Sequence, residues 1–301
     1  MLKMNRWSPI YYAQVRIVNP KTHVEYLDWV PMLLPHEIIK CLYARNGDKI
    51  LARDSMDPLD LQHMADVERK MNARVGSLLG LGLWLDGMAC KWDRTETIET
   101  IILSFPGWPG RWRNVRIPLL VLEHRFVVKG STFDDLLAVV AWSLEHALLD
   151  VMPSQRHDGR HWLLSDAKRK KVCGKIGCAS ALCRITGDWK MFKEIFRFPQ
   201  HNEVQGCCYK CNVTPAGIRA TGSDAPWRSP DARLDHWKLI QRLIARGLII
   251  NALFGLPFFN AGLIFRIDWM HATDLGVGAD FVGQLFVHLI EKCQVPTYSI
   301  D

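Results

Sequence analysis

Residues 11–18 alternate apolar and polar side chains with the period of a strand, while 33–43 and 59–74 space theirs as helices do, the second behind an Asp57-Pro58 start signal. From Leu78 the pattern changes to strands. Residues 81–90, 97–105 and 115–122 form three such runs, separated by turn-rich segments at 91–94 and 106–114, and connections that short join antiparallel neighbours. Over 133–149, Leu136, Leu137, Val140, Leu144, Ala147 and Leu148 line up as an apolar helical stripe that stops before Pro153. Residues 180–186 then predict a fourth strand, and 189–196 a short helix.

Three antiparallel strands, a helix, a strand and a helix is the order of an RNase H-like core. The expected fold class is therefore α/β, an RNase H-like mixed sheet flanked by helices, in which the first and fourth strands are neighbours. Beyond Pro199 the core is interrupted: 201–211 carry a cysteine knuckle, 214–233 are turn-rich, and 234–254 are helical with Leu239, Ile240, Leu243 and Leu248. Residues 263–267 predict a fifth strand and 279–291 a closing helix. Four regions follow: a mixed lead-in at 1–75, the core at 76–200, a knuckle and helical insertion at 201–262, and the last strand and closing helix at 263–301.

Composition narrows the class. A chain of 301 residues with 12 Trp and 12 Phe can bury one large core and is not a disordered tail. The excess of 38 Lys and Arg over 31 Asp and Glu, a formal charge of +7, favours a polyanionic partner. Nine cysteines at irregular spacing, behind a start with no apolar core of signal-peptide length, imply a reducing, intracellular compartment. The most apolar region, 243–267, is broken by Arg246, Asn251, Pro257, Asn260 and Arg266, so no membrane span is expected and the protein reads as soluble. Residues 295–301 carry no terminating signal, which reads as a fragment of a longer chain.

Three constellations could carry chemistry. Asp86 and Asp188 each follow a short apolar run, and each lies next to a glycine. On adjacent strands their carboxylates would meet, an arrangement that Mg²⁺ tolerates and that suits phosphodiester chemistry. The bland alternatives are a turn at Asp86-Gly87 and a helix N-cap at Asp188. Cys208-Tyr-Lys-Cys211 could give two thiolates to a tetrahedral Zn²⁺, completed by Asp268 and His271, with Cys207 and His201 as substitutes and unligated packing as the alternative. Trp108 with Arg111 and Arg113, and the run Lys168-Arg169-Lys170-Lys171, suit a phosphate backbone and an unstacked base, or else are solvated faces. His36 and His63, lone histidines on helices, are expected to serve the surface or the packing, and the segment His157-Asp-Gly-Arg-His161 a loop.

The set Leu85-Asp86-Gly, Gly187-Asp188-Trp, Cys208-Tyr-Lys-Cys211 and Asp268-Trp-Met-His271 resembles the DDE transposases of cut-and-paste DNA transposons, and within them the CACTA-like (EnSpm) group and its relatives, including the V(D)J recombinase catalytic subunit. The resemblance covers roughly 76–295 and rests on the order and spacing of short motifs. It implies Asp86 and Asp188 as the first two catalytic acids and a third on the final helix, for which Glu291 is the choice and Asp280 and Asp274 are rivals. It further implies two-metal hydrolysis and strand transfer with Mg²⁺ or Mn²⁺, with Asp86 bridging both metals, and a structural Zn²⁺ at Cys208, Cys211, Asp268 and His271. DNA is the implied partner, the nucleus the implied location, and a homo-oligomer the implied assembly. No end-binding zinc finger or helix-turn-helix is evident in the sequence. A catalytically inactive, transposase-derived nucleic-acid-binding protein is the alternative.

Overall fold

The computed structural model describes residues 9–90, 96–108, 116–199, 203, 208–214, 216–217, 220, 222–267 and 288. Its first unit is an antiparallel hairpin of β1 (Tyr11–Val18) and β2 (Glu25–Met32). Strand β1 buries Tyr11, Ala13, Val15 and Ile17 on one face, as its alternation predicts. Strand β2 was not legible from the pattern. Its first five residues are exposed, and only Val30 and Met32 turn inward. Helix α1 (Pro35–Asn46) opens with proline at its start, and α2 (Pro58–Lys70) is capped by Asp57, whose carboxylate accepts the N–H groups of Leu59 and Asp60 at 2.9 and 3.0 Å.

The central sheet holds β3 (Leu79–Ala89), β4 (Thr97–Ser104), β5 (Arg116–Glu123), β6 (Ser180–Gly187) and β7 (Phe265–Ile267), in the order β5-β4-β3-β6-β7. The first three pair antiparallel, as their short connections require, while β6 lies parallel to β3, and β7 parallel to β6. The expected adjacency of the first and fourth strands of this sheet is present. A parallel neighbour needs a long crossover, and it is supplied by α3 (Thr132–Leu149), all six of whose predicted stripe residues are buried. Helix α3 stops at Asp150, which adopts the left-handed conformation at φ 56°.

Next come α4 (Ala167–Lys170) and α5 (Trp189–Phe196), then α6 (His236–Ala245) and α7 (Ala261–Ile264). The predicted helix over 234–254 is shorter than its apolar spacing suggested, because Gly247 takes a left-handed φ of +70° just past its end. The predicted closing helix lies outside the described residues, His288 excepted. One hydrophobic cluster runs from Tyr11 of β1 through Leu83 of β3 and Leu137 of α3 to Phe265 of β7, so the lead-in shares its core with the sheet. The result is an α/β fold built on a five-stranded mixed sheet flanked by helices. Among the described residues, no helix is long and apolar enough to cross a membrane.

Candidate functional site

The parallel pairing of β3 with β6 runs to within two residues of both aspartates. In the parallel pair, Leu83 faces Ile185 and Trp84 faces Thr186; the same offset carried forward sets Asp86 of β3 beside Asp188 at the end of β6. The strands stay close to that point: a Cβ on Gly187 would lie 3.1 Å from the Leu85 carbonyl oxygen and 3.2 Å from the Phe192 ring. A side chain is therefore a tight fit where β6 passes into α5. Both aspartates are half-buried. The Asp86 carbonyl accepts the Thr100 hydroxyl of β4 at 3.1 Å, which fixes the strand there.

Asp188 is also the N-cap of α5. One of its carboxylate oxygens accepts the Met191 N–H at 2.6 Å, as the bland alternative anticipated. A cap uses one oxygen and leaves the second, so capping and cation binding are compatible. Asp86 lies inside β3, which stays paired with β4 through Ala89, so Asp86-Gly87 is not a turn; it and Asp188, one residue past β6, are carboxylates of the kind that a hard divalent cation such as Mg²⁺ or Mn²⁺ takes as ligands.

The charged frame of this face escaped sequence reading. By the two-residue alternation of strands, Trp84 and Asp86 share a face with Arg184, Thr186 and Arg266. Arg184 pairs with Asp57 at 2.5 Å and with the fully buried Asp60, to which Arg266 also bonds at 3.3 Å. Burial raises the Asp60 carboxyl above its usual range, and Arg184 pulls it back down. The Arg116 guanidinium lies 3.4 Å from the centre of the Trp84 ring. An arginine inside the apolar run 180–186 was the available signal, since such a charge must find a partner.

The knuckle is tied to the core through the residues between its cysteines. Tyr209 is buried and stacks on Phe198 at 4.6 Å, beside Phe192 and Phe265. Lys210 donates to the Gly262 carbonyl at 3.0 Å, and burial, with Arg266 nearby, pushes its ammonium pKa down to about 8. Cys208 Sγ accepts the Lys210 N–H at 3.2 Å, and Cys211 is buried against Val213. No disulfide joins the two cysteines. A C-x-x-C spacing is one from which two thiolates can supply half of a tetrahedral Zn²⁺ site. Asp268 and His271, the expected other half, lie outside the described residues, as do Cys207, His201 and the third acid Glu291 with its rivals Asp274 and Asp280. Among the described residues, no three His, Cys, Asp or Glu side chains gather closely enough to hold a metal.

The nucleic-acid set divides. Trp108 was expected to be exposed, but it is 4% exposed and meets the Phe105 ring edge-on at 5.8 Å, so its ring is core and not a stacking platform. Arg111 and Arg113 lie outside the described residues. Arg169 is likewise corrected: it is buried, bonded through Nε to Glu37 at 2.7 Å and through Nη1 to Asp166 at 2.8 Å, while Asp166 also pairs with buried Arg156 at 2.5 Å. Its guanidinium is consumed inside the protein. Lys168, Lys170 and Lys171 are exposed. No protein-family model matches this chain, and no curated protein matches it.

Proposed function

We propose that this chain is a DDE-type, transposon-derived nuclease with an RNase H-like core, acting on DNA by metal-dependent phosphodiester hydrolysis and strand transfer. The observation that carries the proposal is the sheet: its order β5-β4-β3-β6-β7 and its parallel β3–β6 register, which carried two residues past Trp84–Thr186 would set Asp86 alongside Asp188. In this proposal Asp86 and Asp188 hold the cation and neutralise it, and Glu291 supplies the third acid. Bound Mg²⁺ or Mn²⁺ supplies Lewis acidity for an attacking water or 3′-OH and for the leaving oxygen. A sheet strand, and the helix cap directly after one, suit such carboxylates because both keep the backbone still. The ion pairs of Arg184 and Arg266 with Asp60 brace β6 and β7 behind them. Exposed Lys168, Lys170 and Lys171 provide phosphate contacts, and the knuckle takes a structural Zn²⁺.

A second reading, a nucleic-acid-binding protein without turnover, is favoured by one observation: the helix cap explains Asp188 without a metal. Supercoiled plasmid incubated with the protein and Mg²⁺ or Mn²⁺ separates the two. The nuclease nicks it and both Asp86→Asn and Asp188→Asn abolish nicking; the binder retains duplex in a salt-dependent way and never nicks. Nicking that survives both substitutions defeats the assignment of these acids.

A further inference from the structure

The face of the sheet that carries Trp84 and Asp86 is occupied at one side and exposed at the other. Over β6 and β7 it is taken up by the ion pairs of Arg184 and Arg266 with Asp57 and Asp60 at the start of α2. Toward β5 it meets solvent. Met88 lies two residues beyond Asp86 on the same face and is 42% exposed; Val121 of β5, which faces Thr100, itself opposite Asp86, is 52% exposed. Arg116 begins β5 opposite Ser104, which in turn faces Gly82. Those two positions carry little or no side chain, which leaves Arg116 room to cross the sheet and bring its guanidinium to 3.4 Å from the centre of the half-buried Trp84 ring.

Arg116 is an exposed residue, so this pair stands at the surface, within reach of a ligand. A guanidinium seated on an indole keeps its plane and its charge, and a planar cation at a surface is a shelf on which a nucleobase stacks. Beside it Pro118, Val121 and Met88 are exposed apolar groups. Duplex DNA hides its base faces and presents phosphates, for which apolar groups have no use; an unpaired strand presents bases as well. Glu123, on the same face of β5, is answered by Arg125 at 2.6 Å. The negative charge of Asp86 is the one that the bound cation neutralises in the nuclease reading.

We propose that this face takes an unpaired DNA strand, with one base stacked on Arg116 over Trp84 and its neighbours against Val121 and Met88, so that the strand passes Asp86. The inference rests on the reading of this protein as one that acts on DNA, and goes beyond it by naming a single strand as the form bound. Fluorescence anisotropy of the full chain, with Ca²⁺ in place of the catalytic ion and at one salt concentration, tests it with three labelled probes: an oligothymidylate, an abasic strand of the same length, and the oligothymidylate paired with its complement. The oligothymidylate is expected to bind tighter than either of the others by about fivefold or more, and Arg116→Lys, which keeps the charge and loses the plane, to remove most of that margin. The comparison of the three probes on the unaltered protein stands even if the variant fails to fold. Equal binding of the oligothymidylate and the abasic strand, tighter binding of the duplex, or a margin unchanged in a folded Arg116→Lys variant overturns it. The two proposals fail separately: plasmid nicking without this preference for an unpaired strand defeats the inference alone, and the preference without nicking defeats the nuclease alone.

Discussion

His36 of α1 is wholly buried, its Nδ1 2.7 Å from the Ser143 hydroxyl of α3 and its ring edge-on to Trp142 at 5.4 Å. Its Nε2 is buried without a partner among the described residues. Burial, reinforced by His146, pushes its pKa from 6.5 down to about 3; burial likewise lowers His63 of α2 to about 4. The unfolded chain protonates both near pH 6.5, while the folded chain resists until far lower. Stability is therefore full above 6.5 and falls as pH drops toward the folded values. Each histidine removes about 1.4 kcal/mol per pH unit in that window, so at pH 5 the pair removes roughly 4 kcal/mol. That is a large share of the roughly 5–15 kcal/mol that holds a domain together. His146, His157 and His236 act in the same sense, whereas Asp60 and Glu37, raised by burial, act in the opposite one, so His36 is best read by difference. Urea unfolding near pH 7.5 and pH 5, on the wild type and His36→Asn, provides it. The wild type should lose about 2 kcal/mol more between the two pH values than the variant does. Equal losses would refute a neutral, buried His36.

Arg169→Met strips Glu37 and Asp166 of a buried partner and should cost about 3–5 kcal/mol in urea unfolding, as broken buried pairs do. Gly187→Ala pushes a methyl against the Leu85 carbonyl and the Phe192 ring and should lower stability by about 1–3 kcal/mol, read from the urea midpoint. Metal analysis of the purified protein should find about one zinc per chain, lost when Cys208 and Cys211 are both changed to Ser; a zinc-free protein that folds stably would remove the knuckle site.

Much of the central sheet was legible because its determinants are local. The apolar runs of β3, β4 and β6 and the stripe of α3 announce themselves by period, and Asp188 announces α5 by its capping chemistry. Strand β2 was hidden because Leu27 and Trp29 on one face and Tyr26 on the other are all exposed, which erases the alternation. The roles of Trp108 and Arg169 were misjudged for a different reason. A basic run looks solvated until its partner is known, and Glu37 comes from a helix more than a hundred residues away in the chain. The register of β3 on β6 is a long-range property too; the sequence offered two aspartates after apolar runs, and only pairing brings those runs side by side.

The most direct test of a cation shared by Asp86 and Asp188 is Mn²⁺ binding followed by electron paramagnetic resonance on the wild type, Asp86→Asn and Asp188→Asn. Asparagine caps a helix about as well as aspartate, so Asp188→Asn removes the charge while leaving the start of α5 intact. A shared ion predicts a site in the wild type that weakens at least tenfold in each folded variant. Mn²⁺ held equally well by all three proteins, or by none, would contradict it.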